Sequence, residues 1–171
     1  MRLYLVGYMG CGKSSIGRKI ARRTGMAFVD TDAVVEQAEQ TSVADIVNYA
    51  GEEYFRRSER KALEDTVRQS DIVVSTGGGL PVWSDNMARI RLLGKSVYIR
   101  RTPEQILSRL SPYGRFKRPK FRGLTDAELL EFMRGNMAER EPFYSQADLT
   151  VDGAGLSDDE ITDAVVAFLN E

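Results

Sequence analysis

The chain contains no histidine, and its 171 residues include only one cysteine and one tryptophan. Without histidine, any general acid or base must be a carboxylate, a lysine or water. The single cysteine, Cys11, excludes an internal disulfide and any metal site built from several thiolates. We interpret Cys11 as a small residue that fills its glycine-rich loop rather than as a nucleophile.

Long apolar runs and a strong net charge are also absent. No stretch approaches the roughly 18 apolar residues of a membrane-spanning helix, and the first apolar run is too short for a signal peptide. The formal net charge of −1 disfavours a large nucleic-acid-binding surface. These features predict a cytoplasmic protein of one domain, residues 1–171, that binds small molecules and neither a membrane nor nucleic acid.

Short apolar runs alternate along the chain with stretches of helical spacing. The runs are RLYLVG, AFVD, DIVVSTGGG, SVYIRR and ADLTVDG. Helix-start signals lie between most of them, such as TPEQ from Thr102, which has a cap residue, a proline and a capping-box glutamine. This alternation predicts a parallel sheet covered by helices, a three-layer α/β fold. Two connections are too long for simple crossovers, and such connections tend to carry function.

The segment GYMGCGKSS has the spacing G-x-x-x-x-G-K-S, with Gly7, Gly12, Lys13 and Ser14 in the fixed places. It follows a predicted strand and precedes a predicted helix, which is the expected context of a phosphate-binding loop. Inward-pointing backbone N–H groups, the lysine charge and the positive end of the helix dipole would together bind a nucleotide triphosphate. The hydroxyl of Ser14 would be a ligand of Mg²⁺. A glycine-rich turn without function is disfavoured because motif and context agree.

Two aspartates follow the second predicted strand, in the sequence DTD. Asp30 and Asp32 therefore emerge at the carboxyl edge of the sheet, where open α/β sheets bind ligands. One carboxylate can hold the water shell of a metal, and the other can face an acceptor hydroxyl. The usual Walker-B aspartate is missing, because DIVVS carries Asp71 at its start and Ser75 at its end. No N-K-x-D motif is present, which argues against a GTPase.

Arginines supply the remaining candidates. Arg56 and Arg57 point about 100° apart on a predicted helix, so only one of them can face a given ligand. Glu59 lies three residues after Arg56 and can hold it in place. Six basic residues and no acid lie between Gln105 and Thr125, a pattern of nucleic-acid-binding segments or of a lid over nucleotide phosphates. Arg140 is expected near a helix end, because Pro142 suggests that the helix stops there.

In this order the motifs resemble those of the shikimate kinase family. The resemblance rests on GYMGCGKSSIGRKIA, DTD, GEEYFRRSE, STGGG, the RP of the basic segment and REPFY, and it covers nearly the whole chain. It implies a nucleoside-monophosphate-kinase fold with a five-stranded parallel sheet of order 2-3-1-4-5. It also implies a substrate-binding insertion at about 31–62 and a lid at about 111–124.

The implied reaction moves the γ-phosphoryl group of ATP, with Mg²⁺ as cofactor, to the 3-hydroxyl of shikimate in aromatic amino-acid biosynthesis, in a monomer. The implied catalytic residues are Asp32, as base or orienting group, Lys13 and Arg118. The implied ATP-binding residues are Gly10, Cys11, Gly12, Lys13, Ser14, Ser15, Arg109 and Arg118. Those implied for shikimate are Asp32, Phe55, Arg56, Gly78, Gly79 and Arg140, and those for the metal are Ser14 and Asp30.

Two departures from the family pattern and three alternatives remain. The lid reads RPKF where the family commonly has R-P-L-L, so Lys120 replaces an apolar residue. The adenine loop, VDGAGLS, lacks a usual arginine. The alternatives are another small-molecule kinase of this fold, such as a gluconate or nucleoside-monophosphate kinase, a regulatory nucleotide-binding protein without turnover, and a nucleic-acid-binding protein that uses the lid. The pair Arg56 and Arg140 favours an acceptor that carries a carboxylate.

Overall fold

The computed structural model describes residues 1–171 and contains one sheet of five parallel strands. The strands are β1 (Arg2–Val6), β2 (Ala27–Asp30), β3 (Ile72–Ser75), β4 (Lys95–Arg100) and β5 (Leu149–Asp152). Their order is β2-β3-β1-β4-β5, which confirms the expected order. The register pairs Ser75 with Asp30 on one side and with Leu5 on the other. The carboxyl ends of the three strands therefore meet directly below the phosphate-binding loop.

Nine α-helices surround the sheet. They are α1 (Lys13–Thr24), α2 (Thr31–Glu39), α3 (Val43–Ala50), α4 (Glu52–Asp65), α5 (Asn86–Leu93), α6 (Pro103–Arg109), α7 (Pro112–Phe116), α8 (Asp126–Tyr144) and α9 (Asp158–Leu169). The capping box expected at Thr102 is present, since Thr102 and Gln105 each accept the backbone N–H of the other. None of the helices is both long enough and apolar enough to cross a membrane.

The main core lies on both faces of the sheet. Four consecutive residues of β1, Leu3 to Val6, are completely buried, as is typical of a parallel strand covered by helices on both sides. A second, small core of Val35, Ile46, Phe55 and Ala62 holds α2, α3 and α4 together. The segment between β2 and β3 thus has an apolar centre of its own, which can support side chains that face the sheet edge.

The expectation that the helix carrying Arg140 stops at Pro142 is wrong. Helix α8 continues through Pro142 to Tyr144, and the N–H of Ser145 still bonds the carbonyl of Glu141. Proline removes one hydrogen bond from a helix. The buried Tyr144 nevertheless holds the last turn in place, because its hydroxyl donates to the carbonyl of Gly78. Arg140 lies four residues before the last residue of the helix, so it is near a helix end as expected, and it is buried.

Candidate active site

The phosphate-binding loop connects β1 to α1, and the side chain of Lys13 folds back onto the backbone of the loop. Gly12 has a φ of 101°, a left-handed conformation that favours glycine, and it immediately precedes α1. The buried Lys13 side chain folds back, and its Nζ donates to the carbonyls of Gly7 at 2.7 Å and Tyr8 at 2.9 Å. The ammonium group is thus held at the mouth of the loop, at the N-terminus of α1, where anions bind.

Three oxygen-bearing side chains meet beside this loop. Ser14 Oγ donates to Asp30 Oδ2 at 2.6 Å and lies 3.1 Å from Ser75 Oγ. Asp30 Oδ1 caps α2 by accepting the backbone N–H groups of Asp32 and Ala33. These residues fit Mg²⁺, because it prefers oxygen donors and needs few protein ligands when phosphate and water complete its shell. The structure contains no cluster of three histidine, cysteine or acidic residues of the kind that binds other metals.

Two carboxyl groups converge next to Gly77. A Cβ atom on Gly77 would collide with both Glu59 Oε1 and Asp32 Oδ1. The Oδ1 atom of Asp32 is buried and has no hydrogen-bond partner. Burial raises the pKa of Asp32, and the nearby carboxylate of Asp30 raises it further. Burial also raises the pKa of Glu59 to about 7, although the neighbouring Arg56 opposes this effect.

The glycine segment 77–79 lies between the two predicted arginines. The guanidinium of Arg56 packs so closely on Gly79 that a Cβ atom would collide with it, and Arg56 Nη1 donates to Glu59 Oε2 at 2.6 Å. On the other side, Arg140 Nη1 would lie 3.5 Å from a Cβ atom on Gly78. This Nη1 atom is buried without a hydrogen-bond partner. The fold thus brings together two arginines that are distant in the sequence.

The basic residues of the predicted lid make different contacts. Arg118 is half-buried, its Nη1 donates to the carbonyl of Gly114 at 2.6 Å, and it lies close enough to Asp32 for their charges to interact. Burial lowers the pKa of Arg118, and the charge of Asp32 opposes this effect. Arg115 instead pairs with the start of α8, and Lys120 is exposed. Among the lid cations, Arg118 is therefore the one whose charge interacts with Asp32.

The C-terminal end of the phosphate loop contacts two further arginines. Arg109 makes two hydrogen bonds to Asp158, of 3.0 and 3.2 Å, and its Nη2 would lie 2.7 Å from a Cβ atom on Gly12. Arg101 Nε donates to the carbonyl of Cys11 at 2.9 Å, and its Nη2 donates to Asp158 Oδ1 at 2.9 Å. The predicted position of Arg109 on the nucleotide side thus has a defined anchor.

The remaining predicted residues occupy the loop and the insertion. Gly10 has a φ of 82°, and Cys11 is buried beneath the loop. Ser15 is exposed, and its Oγ donates to the carbonyl of Gly12. Phe55 packs in the small core of the insertion, with the guanidinium of Arg56 5.4 Å from its ring centre. Phe55 therefore places an aromatic ring of the small core against the guanidinium of Arg56.

Comparisons with known proteins agree with this geometry. The family model described as shikimate kinase matches residues 9–170. A shikimate kinase of Parabacteroides distasonis is 36% identical over 151 residues, which cover 88% of this chain and 87% of that protein. The chain belongs to the shikimate kinase family.

Solved structures of shikimate kinases have the same architecture. The enzyme from Bacteroides thetaiotaomicron matches with a TM-score of 0.89 and 32% identity, over 99% of this chain and 96% of its own. The enzyme from Acinetobacter baumannii, solved in complex with shikimate, matches with a TM-score of 0.88 and 26% identity, over 98% and 92% of the two chains. The predictions of the fold, of an ATP-dependent kinase and of a shikimate kinase are therefore confirmed.

Two residues that contact the phosphate loop or its neighbour Arg109, namely Arg101 and Asp158, were not predicted from the sequence. A signal for Arg101 was available, because it directly follows β4 at the carboxyl edge of the sheet, the criterion that identified Asp30. Asp158 lies in SDDE, where adjacent acids are expected at the start of any helix. Its pairing with two arginines could not be inferred from that pattern.

Proposed function

We propose that the carboxyl edge of the sheet binds ATP and shikimate side by side. We further propose that Asp32, Lys13 and Arg118 catalyse transfer of the γ-phosphoryl group of ATP to the 3-hydroxyl of shikimate. The main support is a pair of buried atoms without partners, the acceptor Oδ1 of Asp32 and the donor Nη1 of Arg140. Both lie beside one glycine segment, next to the phosphate loop. Shikimate has a carboxylate for the donor and hydroxyl groups for the acceptor.

In this proposal the two arginines bind the carboxylate of shikimate from opposite sides of the glycine segment. Glu59 holds Arg56 in position, and the ring of Phe55 supports it. Gly78 and Gly79 offer backbone groups at close range, because neither has a side chain to keep the ligand away. An acceptor without a carboxylate leaves Arg140 unsatisfied, which is costly in a buried site.

Phosphoryl transfer depends mainly on positioning and on stabilisation of charge. Asp32 orients the acceptor hydroxyl and takes up its proton, and its raised pKa suits proton uptake. Lys13 and Arg118 stabilise the negative charge of the phosphates. Ser14 and Asp30 would hold Mg²⁺, which would supply further neutralisation of that charge. No step requires histidine.

The roles of the two long connections, the oligomeric state, the cellular location and the partners are part of the same proposal. We assign shikimate binding to the insertion at about 31–62 and phosphate closure to the lid at about 111–124. We expect the protein to be a monomer in the cytoplasm and to bind neither nucleic acid nor a membrane.

The acceptor assignment is tested by steady-state kinetics of two neighbouring variants on α4, Arg56→Ala and Arg57→Ala. Arg57 is exposed and pairs only with Glu53, so it is a matched control. Loss of a hydrogen bond to a charged group costs about 1.5 to 3 kcal/mol. We therefore expect Arg56→Ala to raise KM for shikimate about 10- to 150-fold while KM for ATP changes less than about threefold. Arg57→Ala should resemble the parent.

Equal losses for ATP and shikimate in Arg56→Ala would contradict the assignment and indicate a structural role. A larger effect of Arg57→Ala on shikimate would contradict it as well. The parent chain should also be compared with a nucleoside monophosphate and with gluconate as acceptors. The nucleoside monophosphate has no carboxylate and should give no appreciable turnover, whereas gluconate carries both a carboxylate and hydroxyl groups, so higher turnover with gluconate than with shikimate would contradict the assignment.

A further inference from the structure

The buried residue Arg101 joins the phosphate loop to the C-terminal part of the chain. Its side chain is only 5% exposed. Nε donates to the carbonyl of Cys11, Nη2 to Asp158 Oδ1, and Nη1 to the carbonyl of Gly153 at 3.4 Å. A buried guanidinium is stable only when its donors are satisfied. Arg101 thus connects the phosphate loop to the segment that follows β5 and to the start of α9.

Asp158 completes this connection by holding a second arginine. Oδ1 accepts hydrogen bonds from both Arg101 and Arg109, and Oδ2 accepts one from Arg109 and a longer one, at 3.4 Å, from Ser15 Oγ of the phosphate loop. Asp158 is the first residue of α9, where the helix dipole favours a carboxylate. Burial opposes its ionisation, but the hydrogen bonds and charge of Arg109 and the charge of Arg101 lower its pKa overall. The carboxylate is therefore charged and shared by two cations.

The contact with Cys11 bears directly on anion binding. The carbonyl of Cys11 and the N–H of Gly12 belong to one planar trans peptide group, in which the two bonds point in opposite directions. Because the buried Arg101 holds the carbonyl, the N–H of Gly12 points away from Arg101. Such N–H groups are the ones that bind phosphate.

We propose that Arg101 and Asp158 are positioning residues for the nucleotide. Arg101 orients the peptide group between Cys11 and Gly12, and Asp158 holds Arg109 against the same part of the loop. The inference rests on the proposed function only in that ATP is the ligand of this loop. It does not depend on the acceptor.

Nucleotide binding to the parent chain and to paired variants tests this inference. The dissociation constant for ATP is measured by calorimetry with Mg²⁺ and without acceptor. Arg101→Met keeps the apolar stem but removes the donors. Arg100→Met is the matched control, because Arg100 is adjacent, exposed and paired with Asp152 at the surface. We expect a rise in Kd of at least tenfold for Arg101→Met and of less than about twofold for Arg100→Met.

A second pair covers the case in which Arg101→Met does not fold. Asp158→Asn should raise Kd for ATP at least fivefold, whereas Asp159→Asn should not, because the ion pairs of Asp159 are with Lys19 and Arg23 of α1 and not with the phosphate loop. In Arg101→Met and in Asp158→Asn, KM for shikimate should change less than about threefold. A general loss of structure would instead raise KM for shikimate as well. Parent-like Kd values in Arg101→Met or in Asp158→Asn would overturn the inference. Equal weakening of ATP and shikimate would overturn it too. Failure of the proposed function would appear separately, as absence of shikimate turnover in the parent.

Discussion

Glu59 is a buried carboxyl group between an arginine and a second carboxylate. We expect its replacement by glutamine to raise the free energy of unfolding at high pH and to weaken shikimate binding. The side chain of Glu59 is 1% exposed, and its Oε2 atom lies 2.6 Å from Arg56 Nη1. Its Oε1 atom and Asp32 Oδ1 approach the same glycine. Glutamine has nearly the same shape and can still accept a hydrogen bond from Arg56, but it cannot ionise.

The expected gain in stability follows from the pKa of Glu59. Burial raises this pKa from 4.5 to about 7, with Arg56 opposing and Asp32 reinforcing the change. The folded protein therefore binds this proton more tightly than the unfolded chain, so stability falls as the pH rises from about 4.5 to about 7. Each pH unit corresponds to about 1.4 kcal/mol, which gives a loss of roughly 3 kcal/mol in the parent. Glu59→Gln avoids this loss.

The measurement is the free energy of unfolding from urea denaturation between pH 4 and pH 9. Glu59→Gln should match the parent near pH 4 and exceed it by up to about 3 kcal/mol at pH 8. Shikimate binding should change in the opposite direction, with KM rising about tenfold, because Arg56 loses its charged partner. Glu53→Gln, an exposed change on the same helix, is the control. A difference that does not vary with pH, or a variant less stable than the parent at pH 8, would refute the reasoning.

Two further changes test the lid and the glycine segment. Arg118→Ala should lower kcat at least a hundredfold, because a cation near the transferring group stabilises the transition state, whereas the exposed Lys120→Ala should stay within about tenfold of the parent. The reverse ranking in steady-state assays would show that the RPKF sequence has moved this role to Lys120. Tyr144→Phe removes the hydroxyl that bonds the Gly78 carbonyl at 2.5 Å, so KM for shikimate should rise about 3- to 10-fold. Tyr98→Phe, which removes another buried hydroxyl, should not have this effect, and equal effects would indicate general packing.

The sheet and the phosphate loop could be predicted because their signals are local. A parallel strand covered on both faces needs a short apolar run, and β1 and β3 consist almost entirely of buried residues. The loop needs glycines and a lysine at fixed separations, and these are visible without any knowledge of distant contacts. The position of Asp30 follows from the end of its strand, because the carboxyl ends of parallel strands share one edge.

The features that were missed depend on distant contacts. Arg101 and Asp158 are 57 residues apart, and nothing in either segment indicates the other. The neighbour Arg100 has the same charge but pairs at the surface, so residue type alone does not distinguish the two. Helix α8 passes Pro142 because Tyr144 is anchored to Gly78, a tertiary contact across 66 residues that outweighs the local cost of proline.

The cost of burying polar atoms without hydrogen-bond partners in the ligand-free protein also bears on which acceptor the site prefers. A buried polar atom without a partner costs about 1 to 3 kcal/mol. Asp32 Oδ1 and Arg140 Nη1 are two buried atoms of opposite hydrogen-bonding character that lack a partner of good geometry, and the nearby Glu59 carboxyl and Tyr144 hydroxyl reduce this cost. Under the proposed assignment, a ligand regains both amounts only if it offers a hydroxyl to one and a carboxylate to the other. A ligand that offers hydroxyls alone leaves a buried cation unpaired, and sites of this kind reject incomplete analogues more strongly than apolar pockets do. Under the proposed assignment, a preference for acceptors that carry both a hydroxyl group and a carboxylate thus follows from two atoms that the fold buries without a hydrogen-bond partner of good geometry.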